Sequence, residues 1–144
     1  HNGRRRQRQM CIRDRIYGRI LLRYGNLESG IKILEQLYER EPIPMSDINA
    51  DRMNRELFLA YYLDKDYKKC EETFNKINEC TFREWLINID IKIKQNKDYA
   101  QDSWFVSGVE RFNNLDKEKE ISLFHLNNKF ISNELKNLSQ QVFV

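Results

Sequence analysis

Side chains able to do chemistry are few and scattered along these 144 residues. Outside the first fifteen residues the one histidine is His125, so neither a His-based triad nor a multi-His metal site can be assembled. Cys11, Cys70 and Cys80 are too few for a disulfide framework and show no C-x-x-C spacing, which points to a reducing, cytoplasmic setting. Carboxylate pairs occur at Glu35/Glu39, Glu71/Glu72 and Glu118/Glu120, but the first two fall on expected helix surfaces and the third flanks lysines in a charge run. There is no Gly-rich phosphate loop and no nucleophile elbow. Trp85, Trp104 and the tyrosines could stack bases, yet aromatics at helical spacing belong more often to a core. No catalytic residue, metal or cofactor is expected, and the information lies in the scaffold.

With 40% hydrophobic and 33% charged residues, the chain suits one small domain with a modest core. Its apolar runs, such as the one opened by Leu57 to Leu59, fall far short of the roughly 20 residues needed to cross a bilayer. Five Gly and two Pro are too few turn signals for a sandwich or barrel of short strands, which favours an all-helical architecture. The net charge of +3 is unevenly placed: residues 1–15 hold six arginines against Asp14, and the remainder carries 19 basic against 21 acidic residues. A phosphate-binding footprint would therefore depend wholly on that arm, and no direct nucleic-acid binding is expected of the rest. The stretch from Gln7 to Arg15 looks like translated adapter sequence, the alternative being a native basic tail; either way residues 1–15 stand apart from the domain expected over 16–144. A first residue other than Met suggests a fragment of a longer protein.

From Tyr17 to Pro42 the spacing is specific. Gly18 falls mid-helix, where a missing side chain lets a paired helix approach; Gly25-Asn26 makes a tight turn; Leu27 opens a second helix. Gly30 is a small residue at the helix crossing, Leu34 and Leu37 extend the apolar stripe, and Pro42 ends the helix. This segment resembles a tetratricopeptide repeat. Forty residues on, beyond a loop containing Pro42 and Pro44, Phe58, Tyr61, Asp66-Tyr67, Cys70, Phe74 and Ile77 repeat the pattern, with Cys70 as the small buried crossing residue.

A third copy is looser, with Leu86, Ile89, Ile93, Asp98-Tyr99, Val106 and Val109 in place and Asp102 where Gly30 and Cys70 stood. Ile87, Ile89, Ile91 and Ile93 also alternate as in a strand, whereas Phe82, Leu86, Ile89 and Ile93 make one helical face; helix is expected from context. Residues 117–139 are expected to form a capping helix or kinked pair, lined by Ile121, Phe124, Ile131, Leu135 and Leu138 and widened by Leu123, Leu126 and Phe130.

The resemblance covers about residues 16–112. It implies an all-α, tetratricopeptide-like superhelical stack of antiparallel helix pairs whose first helices line a concave groove, acting without catalysis on a protein or peptide segment. The groove-facing residues would be Arg19, Leu22 and Arg23; then Arg52, Arg55, Leu59 and Tyr62; then Asn88, Ile91 and Lys94. Their basic character suits an acidic or C-terminal carboxylate partner, the bland alternative being arginines solvated or paired with acids such as Glu56. Glu84 stands where the chaperone-binding carboxylate clamp of some family members would want a base. Two rivals are the peptide-sensing domain of a Gram-positive-type helix-turn-helix regulator and an appended helical domain of a larger enzyme. An uncovered stack end would favour self-association, and no membrane partner is expected.

Overall fold

The structure is a computed structural model, and it describes residues 17–18, 21, 26–40, 47–116, 119–120 and 133–142. The described residues form six α-helices and no strand, so the fold class is all-α. The chain divides after Asn78 into two compact units, each taken by itself below. Residues 1–15, Gly25, Pro42, Pro44, Glu118, His125 and the capping-helix positions from Ile121 to Ile131 lie outside the described residues.

The first unit contains α1 (Leu27–Arg40), α2 (Asp47–Leu63) and α3 (Tyr67–Phe74). Helices α1 and α3 begin alike. The Asn26 side chain accepts from Ser29 N–H at 3.1 Å, and the Asp66 side chain accepts from Lys69 N–H at 3.3 Å, each satisfying an orphan donor of the first turn. Ile31, Leu34 and Leu37 then bury one stripe of α1, and Met53, Leu57, Phe58 and Tyr61 bury the matching side of α2. Tyr17 and Gly18 are also helical, and a Cβ on Gly18 would meet the Leu34 side chain at 3.0 Å, the close approach expected of that glycine.

Asp64, Lys65 and Asp66 fold α3 back onto α2 in a turn that places Lys65 at φ 62°, in the left-handed region. Cys70 then lands fully buried at the crossing, where its S–H donates to the Phe58 carbonyl at 3.7 Å and the Phe58 and Phe74 rings sit 5.5 Å apart. A larger residue would force the helices apart at this point.

The second unit contains α4 (Phe82–Lys94), α5 (Ser103–Phe112) and α6 (Asn133–Val142). The isoleucine alternation is therefore carried by a helix. Both periodicities fit because residues Glu84 to Ile91 are buried on every side of α4, while Ile93 is 45% exposed and leaves the expected face. Thr81 and Glu84 start this helix with a reciprocal capping box, Thr81 N–H to Glu84 Oε1 at 2.8 Å and Glu84 N–H to Thr81 Oγ1 at 3.3 Å.

The third pair departs from the expected alignment. Eight residues, Gln95 to Asp102, separate α4 from α5, against three between α2 and α3. Asp98-Tyr99 does not open the second helix; Asp102 immediately precedes it and is not a crossing residue, and Val106 is 45% exposed. The close approach comes at Gly108, whose added Cβ would lie 1.9 Å from Trp85 Nε1. Trp85 is fully buried there, stacked on Phe105 at 5.5 Å and flanked by Phe82 and Phe112. Helix α6 packs on α4 through buried Leu135 and Ser139.

Candidate functional site

The expected groove does not emerge as a free basic face. Arg19, Leu22 and Arg23 lie outside the described residues. Asn88 and Ile91 are 2% and 0% exposed and Tyr62 is 8% exposed, so all three are corrected from surface to interior positions. Their helices are covered on more sides than a two-faced reading of the sequence allows.

Arg55 is committed as well. Its Nε donates to Asp51 Oδ2 at 2.8 Å, its Nη2 donates to the Asn78 carbonyl, and Asn78 N–H closes the ring on Asp51 Oδ1 at 3.2 Å. Burial pushes the Asp51 carboxyl up, but the hydrogen bonds from Arg55 and Asn78 outweigh it and hold the carboxyl below its ordinary value. The pairing acid is Asp51, one turn before Arg55. Lys94 is likewise paired, with Asp90 at 2.9 Å and Glu134 at 3.6 Å. Glu84 serves its helix cap. Of the named groove positions, exposed Arg52 and half-buried Leu59 remain accessible.

The other side of α2 forms a cleft of about 150 Å³ within the first unit. Asn54, Leu57 and Tyr61 of α2 line its floor. Glu35, Tyr38 and Glu39 of α1 form one wall, and Lys69, Glu72 and Thr73 of α3, with Lys76 in the turn after it, form the other. Every lining residue but Lys76 comes from a helix packed around the Leu34, Phe58 and Cys70 core, so the walls are held by tertiary structure and not by the cleft itself.

Its polar atoms are ordered. Tyr61 O–H donates to Glu35 Oε2 at 2.9 Å, and Lys69 Nζ reaches the same oxygen at 3.5 Å while sitting 5.4 Å from the Tyr61 ring centroid. Burial, and then Glu35, raise the Tyr61 phenol well above its ordinary value of 10.0, so at neutral pH it stays a hydroxyl donor. Thr73 Oγ1 donates to its own helix, at the Lys69 carbonyl, 2.7 Å away. Lys76 Nζ lies 5.8 Å from the centroid of the Tyr38 ring.

None of this assembles a reacting group. Burial, with Asp66 and Glu71 behind it, pushes the Cys70 thiol up to about 12, leaving a thiolate fraction on the order of one in 10⁵ at pH 7. No group of three metal-ligating side chains occurs among the described residues, and none of their helices is long and apolar enough to cross a membrane. The cleft is also smaller than the roughly 300–1,000 Å³ of small-molecule sites, and nearer the scale of a single long side chain.

In comparisons with protein-family models, curated proteins and solved structures, the chain matches none. Sequence reasoning placed Glu35, Glu39 and Glu72 as solvated helix surface and passed over Asn54 altogether. Glu35, Tyr61 and Lys69 are brought together across 26 and 34 residues of chain, and no local pattern announces that. The Thr81-x-x-Glu84 box, by contrast, was open to a search for caps before apolar runs.

Proposed function

We propose that the chain is a non-catalytic recognition module that binds a segment of another protein, built on tetratricopeptide-like helix pairs. The observation that carries this reading is the cleft between α1 and α3: a side-chain-sized recess with preset donors, carboxylates and an aromatic face, held on a rigid helical frame. The matching cap geometry of α1 and α3 and the close approaches at Gly18 and Cys70 support the repeat character of the first unit. Within that reading, Arg52 and Leu59 extend a second accessible strip along the opposite side of α2.

A random peptide library displayed against the folded full chain tests the proposal. Enrichment of a common motif, competed by the synthetic peptide, is the expected result. Repeated selection without any motif, on protein that circular dichroism shows to be helical, overturns it.

A further inference from the structure

The cleft has a charge and hydrogen-bonding surplus that its own residues leave unused. Both bonds to Glu35 fall on Oε2, and its Oε1 has no partner among the described residues. Glu39 and Glu72 also lack an ion-pair partner among the described residues, so three carboxylates face the two ammonium groups of Lys69 and Lys76. Asn54 is independent of this charge count. It is 6% exposed, lines the floor, and its carboxamide makes no hydrogen bond to a described residue. The Asn54 carboxamide therefore keeps acceptor capacity open to a donor arriving from outside.

The aromatic wall selects the sign of that donor. Tyr38 is 36% exposed, and its ring already carries the Lys76 ammonium at 5.8 Å. An incoming cation could replace Lys76 there, or share the rim with it, because Lys76 lies in the exposed turn just beyond α3.

We infer that the cleft between α1 and α3 receives the cationic side chain, arginine or lysine, of a basic segment in the partner protein. Its N–H groups would donate to Glu35 Oε1, to the Asn54 carboxamide oxygen and to Glu39 or Glu72, while its stem lies against Leu57 and Tyr38. The preference is opposite to the acidic partner that the arginine count suggested, because Arg55 and Lys94 are already paired, whereas Glu39 and Glu72 have no ion-pair partner among the described residues and Glu35 engages only its Oε2. The inference rests on the recognition-module reading above and specifies its ligand chemistry.

The test titrates the ¹⁵N-labelled full chain with N-acetyl-arginine amide, N-acetyl-lysine amide and the uncharged isostere N-acetyl-citrulline amide. The expected result is saturable shifts at the Asn54 side-chain amide and the Tyr38 and Glu72 backbone, with citrulline at least fivefold weaker. Glu39→Gln with Glu72→Gln should weaken arginine binding at least fivefold. Lys76→Gln, by removing the internal competitor, should tighten it about threefold, and folding is checked by circular dichroism. Equal binding of citrulline, or shifts confined to other surfaces, overturns the inference. A peptide motif lacking Arg and Lys would also sink it while leaving the recognition module standing. Failure of every peptide would sink the module itself.

Discussion

The two units solve the same problem, bringing a second helix down onto a first, with different residues. In the first unit the contact is made by a small residue that still carries a side chain: Cys70, protonated and buried, lies against the Phe58 carbonyl, and the polar groups gather in an adjoining cleft. In the second unit the contact requires the absence of a side chain, since Gly108 faces the indole of Trp85 amid Phe82, Phe105 and Phe112. A crossing built on cysteine leaves space beside it for polar side chains. One built on an aromatic stack fills its space with rings, and the cleft lies beside the less aromatic of the two crossings.

The sharpest way to break this contrast is to add one methyl group at a close glycine contact in each unit. Gly108→Ala would place a carbon 1.9 Å from a fully buried indole that has no flexible end to give, and should destabilise the second unit by about 3 kcal/mol. Both tryptophans, Trp85 and Trp104, belong to that unit, so urea denaturation followed by tryptophan fluorescence reads it directly. Gly18→Ala meets the branched end of Leu34 at 3.0 Å and should cost less than half as much. Equal effects would mean that the Trp85 stack can shift as easily as a leucine.

A second comparison sets Arg55 against Arg111. Each uses a guanidinium to hold a loop carbonyl, Asn78 in the first unit and Cys80, at 2.8 Å, in the second. Arg55 is also locked to half-buried Asp51, whereas Arg111 is exposed over the Phe112 ring. Arg55→Ala should therefore cost about 2 kcal/mol and Arg111→Ala about 0.5 kcal/mol by chemical denaturation. Acid sharpens the difference. Because the folded Asp51 carboxyl sits below its ordinary 3.8, its contribution is whole above that pH and is lost as pH falls through the folded value. That loss should be reduced in Arg55→Ala, where only the Asn78 N–H still favours the carboxylate, and intact in Arg111→Ala. The result also bears on any binding assay, since charge reversal at Arg55 would disturb the fold before it disturbed a groove.

Legibility in the sequence follows the range of the interaction. The helical class and the crossing roles of Gly18 and Cys70 are readable because turns, caps and small residues act within a few positions. The third pair was misaligned by the eight-residue connection after Lys94, which a fixed repeat period cannot foresee. Asn88 and Ile91 were misplaced because a polar or leftover face reads as surface only when one side of a helix is covered, and α4 is covered all round. The cleft was illegible for a third reason: its partners meet through tertiary packing alone.

Alkaline pH probes the cysteine crossing. The Cys70 thiol is raised from an ordinary 9.0 to about 12, so the folded state keeps a proton that the unfolded state releases. Its stabilisation is full below about pH 9 and declines as pH rises, by roughly 1.2 kcal/mol between pH 9.5 and 10.5. Cys70→Ala should flatten that slope, measured as the difference between the two proteins' unfolding free energies at each pH. Parallel slopes would show that the thiol titrates alike in both states, and the crossing would lose its claim to be dry.

The smallest effect concerns the turn that makes the first crossing possible. Lys65 holds φ 62° between α2 and α3, a conformation that costs a side-chain-bearing residue about 1 kcal/mol and glycine almost nothing. The corresponding position in the preceding copy, one residue before the Asn26 cap, is Gly25 in sequence. Lys65→Gly removes that strain but frees the unfolded chain, so the net gain should be about 0.5 kcal/mol, seen as a slightly higher denaturation midpoint. Lys65→Val, whose branched Cβ resists this backbone, should lose about 1 kcal/mol instead. Opposite signs for the two variants would tie the α2–α3 crossing to its turn. The same sign for both would mean that the buried Cys70 contact sets the turn, with Lys65 merely following.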